Sequence, residues 1–275
     1  MTALAALLPM GARAQSAPLW RNVDISRQLR DTAPQRIRVQ YGAGRVDVRG
    51  TSDPTLYAMH LRYDEARSTP LHRYDAAQHS TALGLESRGG TRMSGGEAGE
   101  LRLTLARAVP LDLDMEFGGT QATLDLGEMS LQSVRLDCGA ADAMLLFSRP
   151  NRLRMRDLEV NVGAADFTGR LLANANADQI RVRGGLGSVD LDFNGTWTHD
   201  LTVVTRLAVG KLTLHVPADV GLRVELQRIA AGFDHVGLVK RDDAWYSPNY
   251  DTAPFKLKVR AETFFGGIDI QRSTR

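Results

Sequence analysis

Residues 158–172 read LEVNVGAADFTGRLL. Leu158, Val160 and Val162 alternate with Glu159 and Asn161, a Gly-Ala-Ala step interrupts, and a second short apolar stretch follows. Alternation of this kind marks an extended strand with one buried and one wet face, because successive side chains point to opposite sides. The arrangement recurs at 134–147 as VRLDCGAADAMLLF and at 180–193 as IRVRGGLGSVDLDF.

The same pattern extends to both sides. Leu111, Leu113, Met115 and Phe117 alternate with Asp112, Asp114 and Glu116. Leu212, Leu214 and Val216 follow, then Leu222, Val224 and Leu226, then Phe255, Leu257 and Val259. Glycine steps separate paired runs at Gly118, Gly139, Gly163, Gly187, Gly210 and Gly232, at intervals of 21, 24, 24, 23 and 22 residues. Such a period is left by a solenoid, whose units expose apolar edges until a neighbour stacks on them. Glycine suits the corners, where the backbone needs positive φ or close approach to the next coil.

The expectation is an all-β chain: a β-solenoid of stacked short-strand coils, period 22–24 residues, with six or seven coils between residues 101 and 275 and strands of about five residues. Alternation does not report strand direction, so an antiparallel β-meander or sandwich stays open. Asn151, Asn174, Asn176 and Asn194 fall near the second corner of successive units, as turn caps or as a stacked amide ladder. A transmembrane barrel is rejected, because its strands need about 9–11 residues and an uncharged outer face.

Upstream, residues 36–48, RIRVQYGAGRVDV, carry a Gly-Ala-Gly step that echoes the later ones, and residues 84–99, GLESRGGTRMSGGEAG, read as a flexible Gly-rich loop. The chain therefore divides into a signal peptide at 1–18, an N-terminal β region at 19–100 ending in that loop, and the repeat stack at 101–275 with a C-terminal cap. The leader rests on an apolar run from Ala3 to Met10 and a small-x-small cleavage pattern, Ala12-Arg13-Ala14, before Gln15, although no basic residue precedes Arg13. Export to the periplasm or cell surface follows. With 34 basic and 32 acidic residues the formal charge is +2, and no Lys/Arg run points to nucleic acid. No later segment has the roughly 18 consecutive apolar residues of a membrane span. Cys138 is the single cysteine, which excludes an intrachain disulfide; its inward position reads as a small core hydrophobe.

Four stretches look familiar together: RIRVQYGAGRVDV from Arg36, PLDLDMEFGGTQATLDL from Pro110, DVGLRV from Asp219, and AWYSPNYDTA from Ala244 followed by FKLKV and FFGGIDI. In order and spacing they resemble the toast-rack family of bacterial envelope proteins, related to the C-terminal domain of cell-wall-active antibiotics response proteins. The resemblance implies stacked β-structure that senses, scaffolds or binds at the envelope. It supplies no catalytic motif.

The residues point the same way. His60, His72, His79, His199, His215 and His235 are scattered, and no GxSxG, P-loop or dinucleotide fingerprint occurs, so no catalytic group, metal or cofactor is assigned. Outward carboxylates at Asp112, Asp114, Asp137, Asp190 and Asp192 could align into the acid and base of a carbohydrate-active β-helix enzyme. Arg135, Arg154, Arg181 and Arg183 share such positions, which favours a face of alternating charge. The best candidate site is residues 242–255, DDAWYSPNYDTAPF, which lengthens the last glycine interval to 34 residues, from Gly232 to Gly266. Trp245, Tyr246 and Tyr250 beside Asp242 and Asp243 suit an envelope protein or cell-wall glycan. The competing and preferred reading is that Trp245 and Tyr250 fold over the last coil as a cap. The expected function is a non-catalytic structural, sensing or interaction role at the envelope, with an adhesin-like or glycan-binding module as the alternative.

Overall fold

The computed structural model describes residues 18–88, 99–164, 166–235 and 237–273. The expected leader through residue 17 and positions 89–98 of the Gly-rich loop lie outside the described residues. Positions 84–87 of that loop are strand instead, because Leu83 and Leu85 continue the alternation begun at Thr81.

The N-terminal strands are β1 (Trp20–Gln28), β2 (Gln35–Thr51), β3 (Thr55–Asp64), β4 (Ser68–Asp75), β5 (Ser80–Ser87) and β6 (Glu100–Ala106). The central ones are β7 (Pro110–Asp125), β8 (Ser130–Cys138), β9 (Asp142–Leu146), β10 (Met155–Ala164), β11 (Phe167–Arg170) and β12 (Ala177–Asp192). The chain ends with β13 (Leu201–Pro217), β14 (Gly221–Asp234), β15 (Val239–Arg241), β16 (Ala244–Tyr246) and β17 (Lys256–Ser273). One 3-10 turn, Leu172–Ala175, is the single helical element among the described residues. The chain is all-β, as expected.

Alternation sets the pairing. Leu158 lies in register with Val134 on β8 and with Ile180 on β12. The row continues to Leu113 and Ile37 on one side and to Val203, Val259 and Val224 on the other. All eight are buried. A slip of one residue in any strand would turn its part of this row to solvent, so burial fixes the register.

Strand direction is now defined. The sequence β2, β7, β8 with β9, β10 with β11, β12, β13, β17, β14 pairs in parallel throughout. A meander or sandwich of antiparallel hairpins is not how this part is built. β7 and β12 run unbroken while the strands between them are split, so β7, β8, β10, β12, β11 and β9 close a six-membered circuit of parallel pairings. Among the described residues, antiparallel pairing is confined to β1–β3–β6, β4–β5 and β14–β16–β15.

Two expectations are corrected. The strands β2, β7, β12, β13, β14 and β17 have 14 to 18 residues, not about five. In these strands the glycine step bends the chain but does not end its pairing. The order in space also departs from the order in sequence, since β17 inserts between β13 and β14. The segment after β14 forms the β15–β16 hairpin on the outer edge of β14 and brings the chain back to its inner edge.

Crossing the corner shifts the phase of alternation by one. On β13 the inward residues are Leu201, Val203, Thr205 and Leu207, then Leu212, Leu214 and Val216. On β17 they are Leu257, Val259, Ala261 and Thr263, then Ile268 and Ile270. The slip leaves consecutive corner residues facing solvent: Ala208 with Val209, and Phe264 with Phe265.

The asparagines tie one level of the stack to another through main-chain groups. Buried Asn151 donates from Nδ2 to the Leu131 carbonyl at 2.9 Å and accepts the Leu131 N–H at 2.9 Å. Asn174 donates to the Phe147 carbonyl at 2.9 Å and accepts the Thr196 N–H at 2.7 Å. Asn176 donates to the Leu153 carbonyl at 3.0 Å. Asn194 stays local, bonded to Asp192 at 2.7 Å. These are contacts to main-chain groups, in place of an amide ladder.

The corner explains its glycines. Gly266 has φ +130°, and a Cβ there would lie 1.7 Å from the Gly210 carbonyl oxygen. Gly210 stands in the same relation to Gly187, at φ +149° and 1.8 Å. Neighbouring Gly267 has nothing within 4 Å of a built Cβ. Gly266→Ala should therefore lose at least about 2 kcal/mol of unfolding free energy, through strain and a backbone clash. Gly267→Ala should stay within about 0.5 kcal/mol of the parent. Denaturant unfolding of both variants checks the pair, and equal losses would contradict the packed corner.

Candidate functional site

The segment at 242–255 begins as the tip of a hairpin. Asp242, at φ 51°, and Asp243 make its exposed turn. Ala244, Trp245 and Tyr246 then pair antiparallel with Glu225, Val224 and Arg223 on β14. Trp245 lies against Phe233, with ring centroids 5.5 Å apart, and against His235 at 4.2 Å. Tyr246 meets Tyr250 edge to face at 5.0 Å, and its hydroxyl accepts the Arg223 Nε–H at 3.0 Å. Arg241 stands over the Tyr246 ring at 5.4 Å and pairs with Asp251 at 2.8 Å.

A polar clasp closes the segment. Ser247 is fully buried; its Oγ accepts the Leu222 N–H at 2.9 Å and its own N–H donates to the Leu222 carbonyl at 2.9 Å. Asn249 donates to the Ala218 carbonyl at 3.0 Å, and Arg272 donates to that carbonyl at 2.7 Å and to Asn249 Oδ1 at 3.1 Å. Burial lowers the Arg272 pKa. The structure thus brings Tyr246 and Tyr250 together on the outer edge of β14, and sets Trp245 apart from them against Phe233 and His235. Asp242 and Asp243 are left at the turn.

Asp112, Asp137 and Glu116 are engaged by neighbours. Asp112 accepts from Ser133 and from Arg156, the latter at 3.1 Å. Asp137 accepts from Asn161 at 2.6 Å and pairs with Arg135 at 2.9 Å. Hydrogen bonds from Gln40 and Arg38 hold Glu116 below the usual carboxylate range. A glycosidic general acid needs the opposite shift. His215 bonds Asp190 at 3.1 Å, and His199 bonds Thr198 and the Ala177 carbonyl, so the two histidines serve separate neighbours.

A feature of the outward face depends on the strand order. On β7, β8 and β10 the nine outward positions from Asp112 to Asn161 hold six acidic residues and one basic, Arg135. On β12 the outward residues are Gln179, Arg181 and Arg183; on β13, Thr202, Val204 and Arg206; on β17, Lys258, Arg260 and Glu262. That block holds five basic residues and one acidic. It surrounds a shallow hollow of about 220 Å³ lined by Arg181, Arg183, Arg206, Arg260, Gln179 and Val204. Sequence reasoning missed this block, because Lys258 and Arg260 reach β13 only through the insertion of β17.

A longer groove of about 520 Å³ runs along the corner past Gly118, Gly139, Gly163 and Gly185. Its glycines are needed for packing: a Cβ on Gly163 would meet the Gly139 oxygen at 2.6 Å, and one on Gly185 the Gly163 oxygen at 2.7 Å. The groove is the space that close stacking leaves. Among the described residues no group of three or more His, Cys, Asp or Glu could hold a metal ion, and no helix is long and apolar enough to cross a membrane.

Residues 20–155 match the family described as the N-terminal domain of toast_rack, DUF2154. Among solved structures, a candidate cell adhesion protein from Clostridium sporogenes is 15% identical, with a TM-score of 0.50 over 94% of this chain and 100% of its own. A candidate adhesin from Parabacteroides distasonis is 9% identical, with a TM-score of 0.42 over 93% and 98%. One from Bacteroides fragilis is 8% identical, with a TM-score of 0.35 over 90% and 97%. The first shares the fold, and the other two scores are too low to add to it. No curated protein matches the sequence.

Two outcomes follow from the side-chain environments. Trp245→Ala should lower stability by about 1–3 kcal/mol, since the indole is half-buried against Phe233 and His235; an unchanged melting temperature would show that these ring contacts hold nothing. Cys138 is buried, and burial pushes its thiol up to about 12. At mildly alkaline pH it should resist a thiol reagent in the native protein and react on unfolding. Rapid native-state labelling would contradict its place in the core.

Proposed function

We propose, for a chain that belongs to the toast-rack family over residues 20–155, a non-catalytic interaction role at the bacterial cell envelope. In this reading the parallel succession of bent strands is a solenoid-like scaffold, and its outward face is the working surface. The observation that carries the reading is the state of that face. Its carboxylates Asp112, Glu116 and Asp137 accept hydrogen bonds from arginine, asparagine, glutamine and serine neighbours. A face so arranged suits recognition better than proton transfer.

The shared fold with the candidate adhesion protein of Clostridium sporogenes supports an adhesin-like form of this role. Trp245, Tyr246 and Tyr250 serve mainly as the cap: Trp245 packs on Phe233 and His235, Tyr246 meets Tyr250 and lies beneath Arg223 and Arg241, and the hairpin covers an open strand edge. Asp242 and Asp243 at its tip are then solvated turn residues. The partner would be an envelope protein or a cell-wall glycan.

Export is the premise most easily tested. The tagged full chain should leave the cytoplasm, and the mature protein should begin at Gln15. Cells that display it should adhere to envelope material more than cells without it. Retention in the cytoplasm with residues 1–14 uncleaved would overturn the localisation. Glycoside hydrolysis that is lost in Asp114→Asn would overturn the non-catalytic assignment.

A further inference from the structure

We propose that the arginine-rich face of β12, β13 and β17 binds an extended polyanionic glycan, one with a carboxylate on successive sugars, laid along the stack axis. The inference deepens the interaction role proposed above and rests on it.

The first observation is a cost that the fold itself does not require. Arg183 and Arg206 are direct register partners on adjacent parallel strands, and Arg260 faces Val204 one position away. Like charges opposite one another destabilise a sheet. The acidic residues that offset this lie outside the lining of the hollow: Arg181 pairs with Asp157, Arg183 with Glu159, and Arg206 and Arg260 with their register partners Glu262 at 2.8 Å and Glu225 at 3.0 Å. The centre of the hollow is left to cations over an apolar floor, Val204.

The second observation concerns donors. A guanidinium has five N–H groups in a planar fork that matches a carboxylate. Arg206 uses Nε and one terminal nitrogen on Glu262; Arg260 does the same on Glu225. Each keeps further donors, and Arg206 and Arg260 are each 56% exposed.

The third is spacing. Parallel strands repeat at about 4.8 Å, close to the length of one sugar residue in an extended chain. A polymer with one carboxylate per sugar can therefore meet Arg183 and Arg206 with successive anions and Arg260 or Lys258 with the next. A single small anion would use one of these and gain little at so open a site.

The test uses the purified full chain and polygalacturonate as the probe, with dextran as the neutral control. Binding should be saturable on polygalacturonate, absent on dextran, and weaker as salt rises, as counterion release requires. The triple variant Arg181→Gln, Arg206→Gln, Arg260→Gln should bind at least about tenfold more weakly, the loss of one or more charged hydrogen bonds. Should that variant melt early, Glu262→Gln carries the test: it removes the paired acid and frees the Arg206 fork, so it should bind more tightly than the parent. No binding to polygalacturonate at low salt, an unchanged triple variant, or tighter binding absent in Glu262→Gln would overturn the inference. So would attachment to phosphatidylglycerol vesicles in its place, lost in Phe265→Ser, which would assign the face and the adjoining exposed Phe264 and Phe265 to a lipid surface. Each of these failures leaves export and adhesion to be judged by their own measurements.

Discussion

The structure depends on how closely one bent strand can lie on the next at the corner. In the file of Gly187, Gly210 and Gly266, each residue leaves room for the carbonyl of the one before. Because the backbones meet there, pairing continues from the first half of a strand into the second. The rows on both sides of the corner then stay in register. Behind the corner lie Ile37, Leu113, Val134 and their successors, each contributing about 1.5–3 kcal/mol when fully buried, an upper figure given the compactness of unfolded chains. Loosening the corner would misalign all of them at once.

Parallel stacking leaves an open strand edge at each end, which is an association hazard. The chain deals with both ends in the same way. At one end β5 and β6 cover the two halves of β2, and the antiparallel strands β4, β3 and β1 follow them. At the other, the β15–β16 hairpin lies across residues 223–225 of β14. Antiparallel pairing is thus used where the stack must stop, parallel pairing where it must continue. The clasp of Ser247, Asn249 and Arg272 ties the second closure to the strand that β17 inserts.

Much of this is readable from residues alone. The period-2 runs mark every long strand after residue 100, and the glycine spacing marks the corners. Strand direction is not readable, because a parallel and an antiparallel partner bury the same face. Strand length is misjudged for a local reason: a Gly step such as that at Gly210 looks like a break in sequence but keeps its pairing in space. The adjacent residues Phe264 and Phe265 signal the phase slip, since two successive apolar residues cannot both face inward on a regular strand. The insertion of β17 has no local signal at all. The basic block of Arg181, Arg183, Arg206, Lys258 and Arg260 is invisible for the same reason, being assembled from three strands of which the last is distant in sequence.

The outward face carries its charge in two blocks, acidic over β7, β8 and β10 and basic over β12, β13 and β17, on a scaffold fixed by the row behind it. Arg36, Asp112, Ser133, Asp157, Gln179, Thr202, Lys258 and Arg223 are successive register partners on that face, which makes them a ruler along the stack. Spin labels at position 36 and, in turn, at 157, 202, 258 and 223, in a Cys138→Ser background, measure it directly. The account predicts distances that lengthen in that order by roughly 4.8 Å for each strand crossed, with 258 nearer than 223. A separation at 223 shorter than at 258, or distances that do not climb along the series, would contradict the parallel stack.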